Sequence, residues 1–134
     1  MKILVFGSNG LVGNSLKRNL SNNDKYECIF STRADTDLFS FKKTKETIKN
    51  FMPDLIINAA AKVGGIYAND TQGTQFLLDN LKININILES LIEYKTIKLI
   101  NLGSSCIYPL NAENPISEKS FMNGTLEPTN SPYA

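Results

Sequence analysis

The stretch Lys2-Ile3-Leu4-Val5-Phe6-Gly7-Ser8-Asn9-Gly10-Leu11-Val12-Gly13 decides the fold. After its lysine the first half is a continuous apolar run ending on glycine, the pattern of a strand buried on both faces of a parallel sheet. Gly7, Gly10 and Gly13 then stand where the backbone must turn sharply from strand to helix. There it can approach a pyrophosphate with no Cβ in the way, and the helix can pack closely on the sheet. Ser8, Asn9, Leu11 and Val12 complete the turn, whose helical N–H groups would take the phosphate. Glycines at this spacing can also serve a purely structural turn, but their place after a first strand favours a dinucleotide-binding one.

Outward from this turn the chain alternates strand and helix signals. Leu11, Val12, Leu16 and Leu20 suit a helix packed on the sheet, closed by Ser21-Asn22-Asn23-Asp24. Tyr26 to Thr32 reads as a second strand. Phe41 to Met52 reads as a lysine-rich amphipathic helix with Ile48, Phe51 and Met52 inward and Pro53 as its stop. Leu55-Ile56-Ile57 enters a third strand running into Asn58-Ala59-Ala60-Ala61. Phe76, Leu77, Ile83, Ile87, Leu88 and Leu91 recur at helical spacing, predicting a long helix over Thr74 to Tyr94. Lys98 to Leu102 is the fourth strand, and prolines at 109, 115, 128 and 132 mark the remainder as mainly loop. The fold class is therefore α/β, a doubly wound parallel sheet with right-handed crossovers, expected in the order 3-2-1-4.

Composition narrows the functions open to such a chain. Its 134 residues, 42% hydrophobic and 20% charged, suffice for one domain. With 14 basic and 13 acidic residues the formal charge is +1, which gives no electrostatic footprint for nucleic acid or an anionic membrane. Neither is expected as a partner. Cys28 and Cys106 have no disulfide or zinc spacing, so no metal site is expected and a reducing, cytoplasmic location is. No apolar run suits a signal peptide or a membrane span. The chain contains no histidine, so it has no imidazole for proton transfer.

About 20 residues past the glycine turn, where an acid would accept from a ribose 2′-OH, stands Arg33. A guanidinium pairs with a 2′-phosphate, which favours NADP(H) over NAD(H). The alternative is a solvated arginine partnered by Asp35 or Asp37. Ala59, Ala60 and Ala61 are small enough to let a cofactor lie against the sheet edge, or to be simple core alanines. Ser104 follows the fourth strand and can hold a substrate carbonyl oxygen, while Tyr133 can donate the proton that completes hydride addition. That tyrosine needs a nearby cation, because its unperturbed pKa is about 10. Taken alone, Cys106 reads as a small apolar residue.

With the strings Ala59 to Ile66, Leu102-Gly103-Ser104-Ser105-Cys106-Ile107-Tyr108-Pro109, Gly124 to Asn130 and Pro132-Tyr133-Ala134, the chain resembles the GDP-L-fucose synthase family of extended short-chain dehydrogenases/reductases. The resemblance spans essentially all of it. It implies that Ser104 and Tyr133 are the catalytic serine and tyrosine and that Cys106 exchanges protons during epimerisation. It implies that Gly7 to Gly13, Arg33 to Leu38 with Asp37, and Leu102 to Ser105 bind NADP(H). The implied reaction is 3,5-epimerisation and 4-reduction of GDP-4-keto-6-deoxymannose, a nucleotide-sugar substrate, by a homodimer. The lysine expected four residues after Tyr133, a catalytic histidine and the substrate domain fall past Ala134. Residues 1–134 are thus expected to be the amino-terminal part of the NADP-binding domain, inactive alone. A non-catalytic NAD(P)-binding module and another nucleotide-sugar epimerase or dehydratase remain the alternatives.

Overall fold

The computed structural model describes residues 1–129, 131 and 134. Four parallel strands, β1 (Lys2–Phe6), β2 (Glu27–Ser31), β3 (Leu55–Asn58) and β4 (Lys98–Asn101), form one sheet, with α1 (Leu11–Leu20), α2 (Phe41–Phe51) and α3 (Ile66–Leu91) as the connections. Met1–Ala61 with Asp79–Leu102 makes one compact unit, which carries the sheet. Lys62–Leu78 with Gly103–Ala134 makes a second.

Side chains alternate across a strand, so β1 feeds two cores at once. Leu4 and Phe6 pack with Leu38, Ile48, Ile56, Ile83 and Ile87 on one face, and Ile3 and Val5 pack with Ile57, Leu16 and Leu20 on the other. Burial on both faces explains why β1 reads as an unbroken apolar run.

The strand order is β2-β1-β3-β4, which corrects the expected 3-2-1-4. The third strand crosses over β1 rather than extending outward from β2. Burial explains the choice: Ile56, Ile57 and Asn58 are all buried, as an interior strand requires, whereas β2 alternates exposed and half-covered residues up to Ser31 and suits an edge.

Helical faces differ from expectation in detail. Leu16 and Leu20 pack on the sheet, but Leu11 is 90% exposed and Val12 is exposed, both lying in the first turn of α1 beyond the reach of the core. Thr44 and Ile48 are the buried residues of α2. Met52, expected inward, is exposed because it caps the helix in the left-handed conformation at φ 48°. The third helix begins at Ile66 rather than Thr74 and kinks at Gln72, just before Gly73. Phe76, Ile83 and Ile87 point inward, while Leu77 and Leu88 are exposed. Past β4 the chain is mainly loop, as expected, with single 3-10 turns at Ser105–Ile107 and Glu118–Ser120.

The connection from β2 to α2 is held by side-chain hydrogen bonds. Asp35 Oδ2 accepts from both the Thr32 amide at 2.8 Å and the Thr32 hydroxyl at 2.6 Å. Buried Ser31 donates to buried Thr36 at 2.8 Å, and Thr36 lies 2.9 Å from the Thr47 hydroxyl on α2. These bonds, first the Thr32 hydroxyl and then its amide, hold the Asp35 carboxyl below the usual carboxylate range. The Asp35 contribution to the loop is therefore complete above the ordinary carboxylate pKa and lost as pH falls through the depressed folded value.

Two outcomes follow from this framework. A Cβ at Gly13 would stand 2.2 Å from the Gly7 carbonyl oxygen, whereas one at Gly65 would meet nothing within 4 Å. Urea melts should therefore show Gly13→Ala destabilised by about 1–3 kcal/mol or more, with Gly65→Ala close to wild type; equal effects would contradict the packing described. In an NMR titration Asp35 should ionise below its ordinary value of about 3.9, and Thr32→Val should raise it, an unmoved midpoint counting against the hydroxyl as cause.

Candidate functional site

The first candidate group gathers at the carboxyl ends of β1, β2 and β3. Gly7 has φ +74°, and a Cβ there would lie 2.6 Å from the Ala60 nitrogen and 2.7 Å from the Ala59 carbonyl carbon, so the turn lies directly on the backbone leaving β3. The buried Ser8 donates its amide to Ser31 O at 3.1 Å, which ties the turn to the end of β2. Gly10 adopts extended backbone as the N-cap of α1 and offers no side-chain cap. The Asn14 amide group donates to the carbonyls of Asn9 and Gly10, and the first turn of α1 holds no acid. Amide donors of that turn and the positive end of the helix are thereby left for an anion.

Arg33 stands in the Thr32–Thr36 loop, exposed, its guanidinium 5.5 Å from the Phe39 ring centroid. It makes no ion pair among the described residues. The acids that might have neutralised it are engaged elsewhere: Asp35 with Thr32, and Asp37 with the Phe39 amide at 3.1 Å. A cation stacked on an aromatic face keeps its in-plane N–H fork available for a phosphate. Leu38 turns its side chain into the core and its carbonyl accepts from Asn86 at 2.7 Å, so it supports this loop from beneath. Ala59 and Ala60 are half-buried, with Ala60 also packing on the core, and Ala61 is exposed.

An amide cluster around the buried Asn58 is not among the sequence motifs above. Asn58, 3% exposed, donates from its side chain to Asn101 Oδ1 at 2.7 Å, with Asn84 Oδ1 at 3.5 Å, and its own Oδ1 accepts from the Ala60 amide at 3.1 Å. Asn58 and Asn101 are register partners that close β3 and β4. The signal was present: Ile56-Ile57-Asn58 and Leu99-Ile100-Asn101 end two apolar runs on the same amide. The Leu102 amide donates to Asn58 O at 3.2 Å, extending the pairing by one residue.

The second group lies in the other unit. Ser104, half-buried, is the N-cap of the 3-10 turn Ser105–Ile107, and its hydroxyl oxygen accepts from the Cys106 amide at 3.0 Å. That bond uses the oxygen as acceptor and leaves the hydroxyl hydrogen to donate. Cys106 is a free, half-buried thiol, so it is not the core residue its type alone suggested. Gly103 and Ser105 are exposed, and a Cβ on Gly103 would meet nothing within 4 Å. In the same unit Lys62 lies over the Phe76 ring at 6.0 Å, and Leu110 donates to Thr125 O at 2.9 Å. Tyr133 and Pro132 lie outside the described residues. Cys28 on β2 is a poor candidate for chemistry, since partial burial pushes its thiol pKa up. Among the described residues no three His, Cys, Asp or Glu side chains converge as metal ligands, and no helix is long and apolar enough to cross a membrane.

The chain is similar to known proteins in sequence and in fold. GDP-L-fucose synthase of Escherichia coli is 38% identical over 133 residues, covering 99% of this chain. GDP-L-colitose synthase of Yersinia pseudotuberculosis is 38% identical over 134 residues, covering all of it. The chain spans 41% and 43% of the length of these two relatives. The crystal structure of a GDP-L-fucose synthetase from Naegleria fowleri bound to NADP superposes with a TM-score of 0.79 at 28% identity, over 98% of this chain and 39% of that one. The model of the NAD dependent epimerase/dehydratase family matches residues 3–134, nearly the whole chain, and with its glycine turn seated between parallel strand ends the protein belongs to that family.

Proposed function

We propose that these residues are the amino-terminal part of an NADP(H)-dependent nucleotide-sugar epimerase/reductase of the GDP-L-fucose synthase type, acting on GDP-4-keto-6-deoxymannose. One observation carries the catalytic assignment. A single hydrogen bond from the Cys106 amide to the Ser104 hydroxyl holds a carbonyl-binding group and a proton-transfer group on one turn. Identity to GDP-L-fucose synthases over the full chain supports the sugar, and the equal identity to a GDP-L-colitose synthase supports a second reading with another GDP-linked sugar.

The cofactor fits the residues present. The turn at Gly7 and Gly13 has no room for side chains, the first turn of α1 carries no acid to repel a pyrophosphate, and Arg33 has no carboxylate partner among the described residues. In this reading the amides of Leu11, Val12 and Gly13 hold the pyrophosphate, Arg33 pairs with the 2′-phosphate, and Asp37, Leu38, Ala59 to Ala61 and Leu102 to Ser105 line the rest of the site. Bound NADPH supplies the hydride that reduces the C4″ keto group. Cys106 exchanges protons at the carbons flanking that carbonyl, whose acidity the carbonyl raises, and so inverts C3″ and C5″ with a second proton carrier. Ser104 donates its hydroxyl hydrogen to the C4″ oxygen and Tyr133 protonates it. The relatives extend well beyond this span, and the second proton carrier, the tyrosine's cation and the sugar pocket belong to that further length. A cytoplasmic, homodimeric full-length enzyme completes the proposal.

Arg33→Ala in a chain of full family length should weaken NADPH by about 1–3 kcal/mol, roughly 5- to 150-fold, with little loss for NADH. Equal weakening of both cofactors by calorimetry would remove Arg33 from the 2′-phosphate site. With GDP-4-keto-6-deoxymannose and NADPH, the 134 residues alone should show no turnover while the longer chain does. In the longer chain Ser104→Ala and Tyr133→Phe should abolish reduction, and Cys106→Ser should stop solvent-deuterium exchange at C3″ and C5″. Unchanged exchange in that variant would refute the role given to the thiol.

A further inference from the structure

One side chain of α1 grips the glycine turn. Asn14 is exposed, yet its side chain folds back toward the turn, and its Nδ2 donates to the Asn9 carbonyl at 2.9 Å and to the Gly10 carbonyl at 3.1 Å. Both neighbours are acceptors, so only the amide nitrogen can face them. The Asn9 carbonyl has no backbone donor among the described residues and depends on this bond. Intrinsic helix preference would place alanine rather than asparagine here, so the helix itself does not call for the residue.

We propose that Asn14 is a positioning residue for the dinucleotide pyrophosphate, acting through the two peptide planes that flank Gly10. A trans peptide points its C=O and its N–H in opposite directions, so fixing one end aims the other. The plane between Asn9 and Gly10 is held at both ends: its N–H donates to the Gly7 carbonyl at 3.0 Å, and its C=O accepts from Asn14. In the plane between Gly10 and Leu11 the C=O accepts from Asn14 twice, from the backbone amide at 2.9 Å and from Nδ2 at 3.1 Å. The other end of that plane is the Leu11 amide, which has no acceptor among the described residues. It is thereby aimed out of the helix N-terminus, where an anion would sit. Gly10 has no Cβ to restrict these planes, so hydrogen bonds from Asn14 supply the order that sterics do not. The loop that carries Arg33 is fastened by the Ser31, Thr36, Thr32 and Asp35 bonds, none of which involves Asn14. The two phosphate contacts are therefore separable. The inference rests on the NADP(H) reading above.

Calorimetry of the 134-residue chain with NADP⁺, NAD⁺ and adenosine 2′-monophosphate tests the role. Asn14→Ala, which introduces a better helix former, should weaken both dinucleotides alike by about tenfold. It should leave the monophosphate, which carries no pyrophosphate, bound as in wild type. Asn14→Ser, whose hydroxyl can still donate to the Gly10 carbonyl four residues back, should recover part of the loss. Asn14→Asp removes the donor and sets a negative charge near the helix N-terminus, so it should weaken the dinucleotides further than Asn14→Ala. Wild-type affinity for both dinucleotides in Asn14→Ala, a loss confined to NADP⁺, or a loss that extends to the monophosphate would each overturn the positioning role and leave the NADP(H) reading standing. A wild-type chain that binds none of the three ligands would overturn that reading and this inference with it.

Discussion

No side chain fits at Gly13, because the position of its Cβ lies 2.2 Å from the Gly7 carbonyl oxygen. That approach brings the first turn of α1 down onto the end of β1, and the remainder of the site depends on it. Gly7 in turn lies against the backbone of Ala59 and Ala60, so the turn is fixed between two strands rather than projecting from one. The amides of the first helical turn, which no backbone acceptor can satisfy within the helix, are thereby presented where the strands end. Donors so placed would need little reorganisation to hold an anion.

The surrounding polar groups keep those strand ends in place. Asn58 bridges to Asn101 at 2.7 Å and to the Ala60 amide at 3.1 Å, so β3 and β4 end in register and the backbone leaving β3 is fixed. On the other side the Ser31, Thr36 and Thr47 hydroxyls fasten the loop that carries Arg33. Carboxylates that could neutralise Arg33 are occupied by Thr32 and by the Phe39 amide. Charge left available on a braced loop suits the phosphate role proposed for Arg33, because little ordering would remain to be done on binding. In the second unit the Ser104 hydroxyl accepts from the Cys106 amide and so keeps its hydrogen free to donate.

Much of this was legible in the residues. The unbroken Ile3 to Phe6 run marked a strand buried on both faces, and three glycines marked the turn, because each signal is local. Strand order was not legible, since it depends on which apolar runs compete for the interior, and only burial separates Leu55-Ile56-Ile57 from the half-covered β2. Leu11 and Met52 were misplaced for related reasons: helical periodicity says nothing of where a first turn overhangs the sheet or a cap turns left-handed. Arg33 was visible as a type of residue, while the lack of a carboxylate partner among the described residues depends on where the side chains of Asp35 and Asp37 turn. The asparagine cluster was written twice, at the ends of two runs, but its meaning required their register. The roles of Ser104, Cys106 and Tyr133 came from family resemblance more than from spacing, and Tyr133 lies outside the described residues.

The central claim is that the glycine turn takes the pyrophosphate while Arg33 separately takes the 2′-phosphate. An NMR titration of the 15N-labelled chain with NADP⁺ and with NAD⁺ tests it most directly. The account predicts that both ligands shift the amides of Leu11, Val12 and Gly13, and that only NADP⁺ shifts the Arg33 side-chain Nε resonance. Shifts at Arg33 that are the same for both ligands, or amide shifts that bypass the α1 first turn, would contradict it.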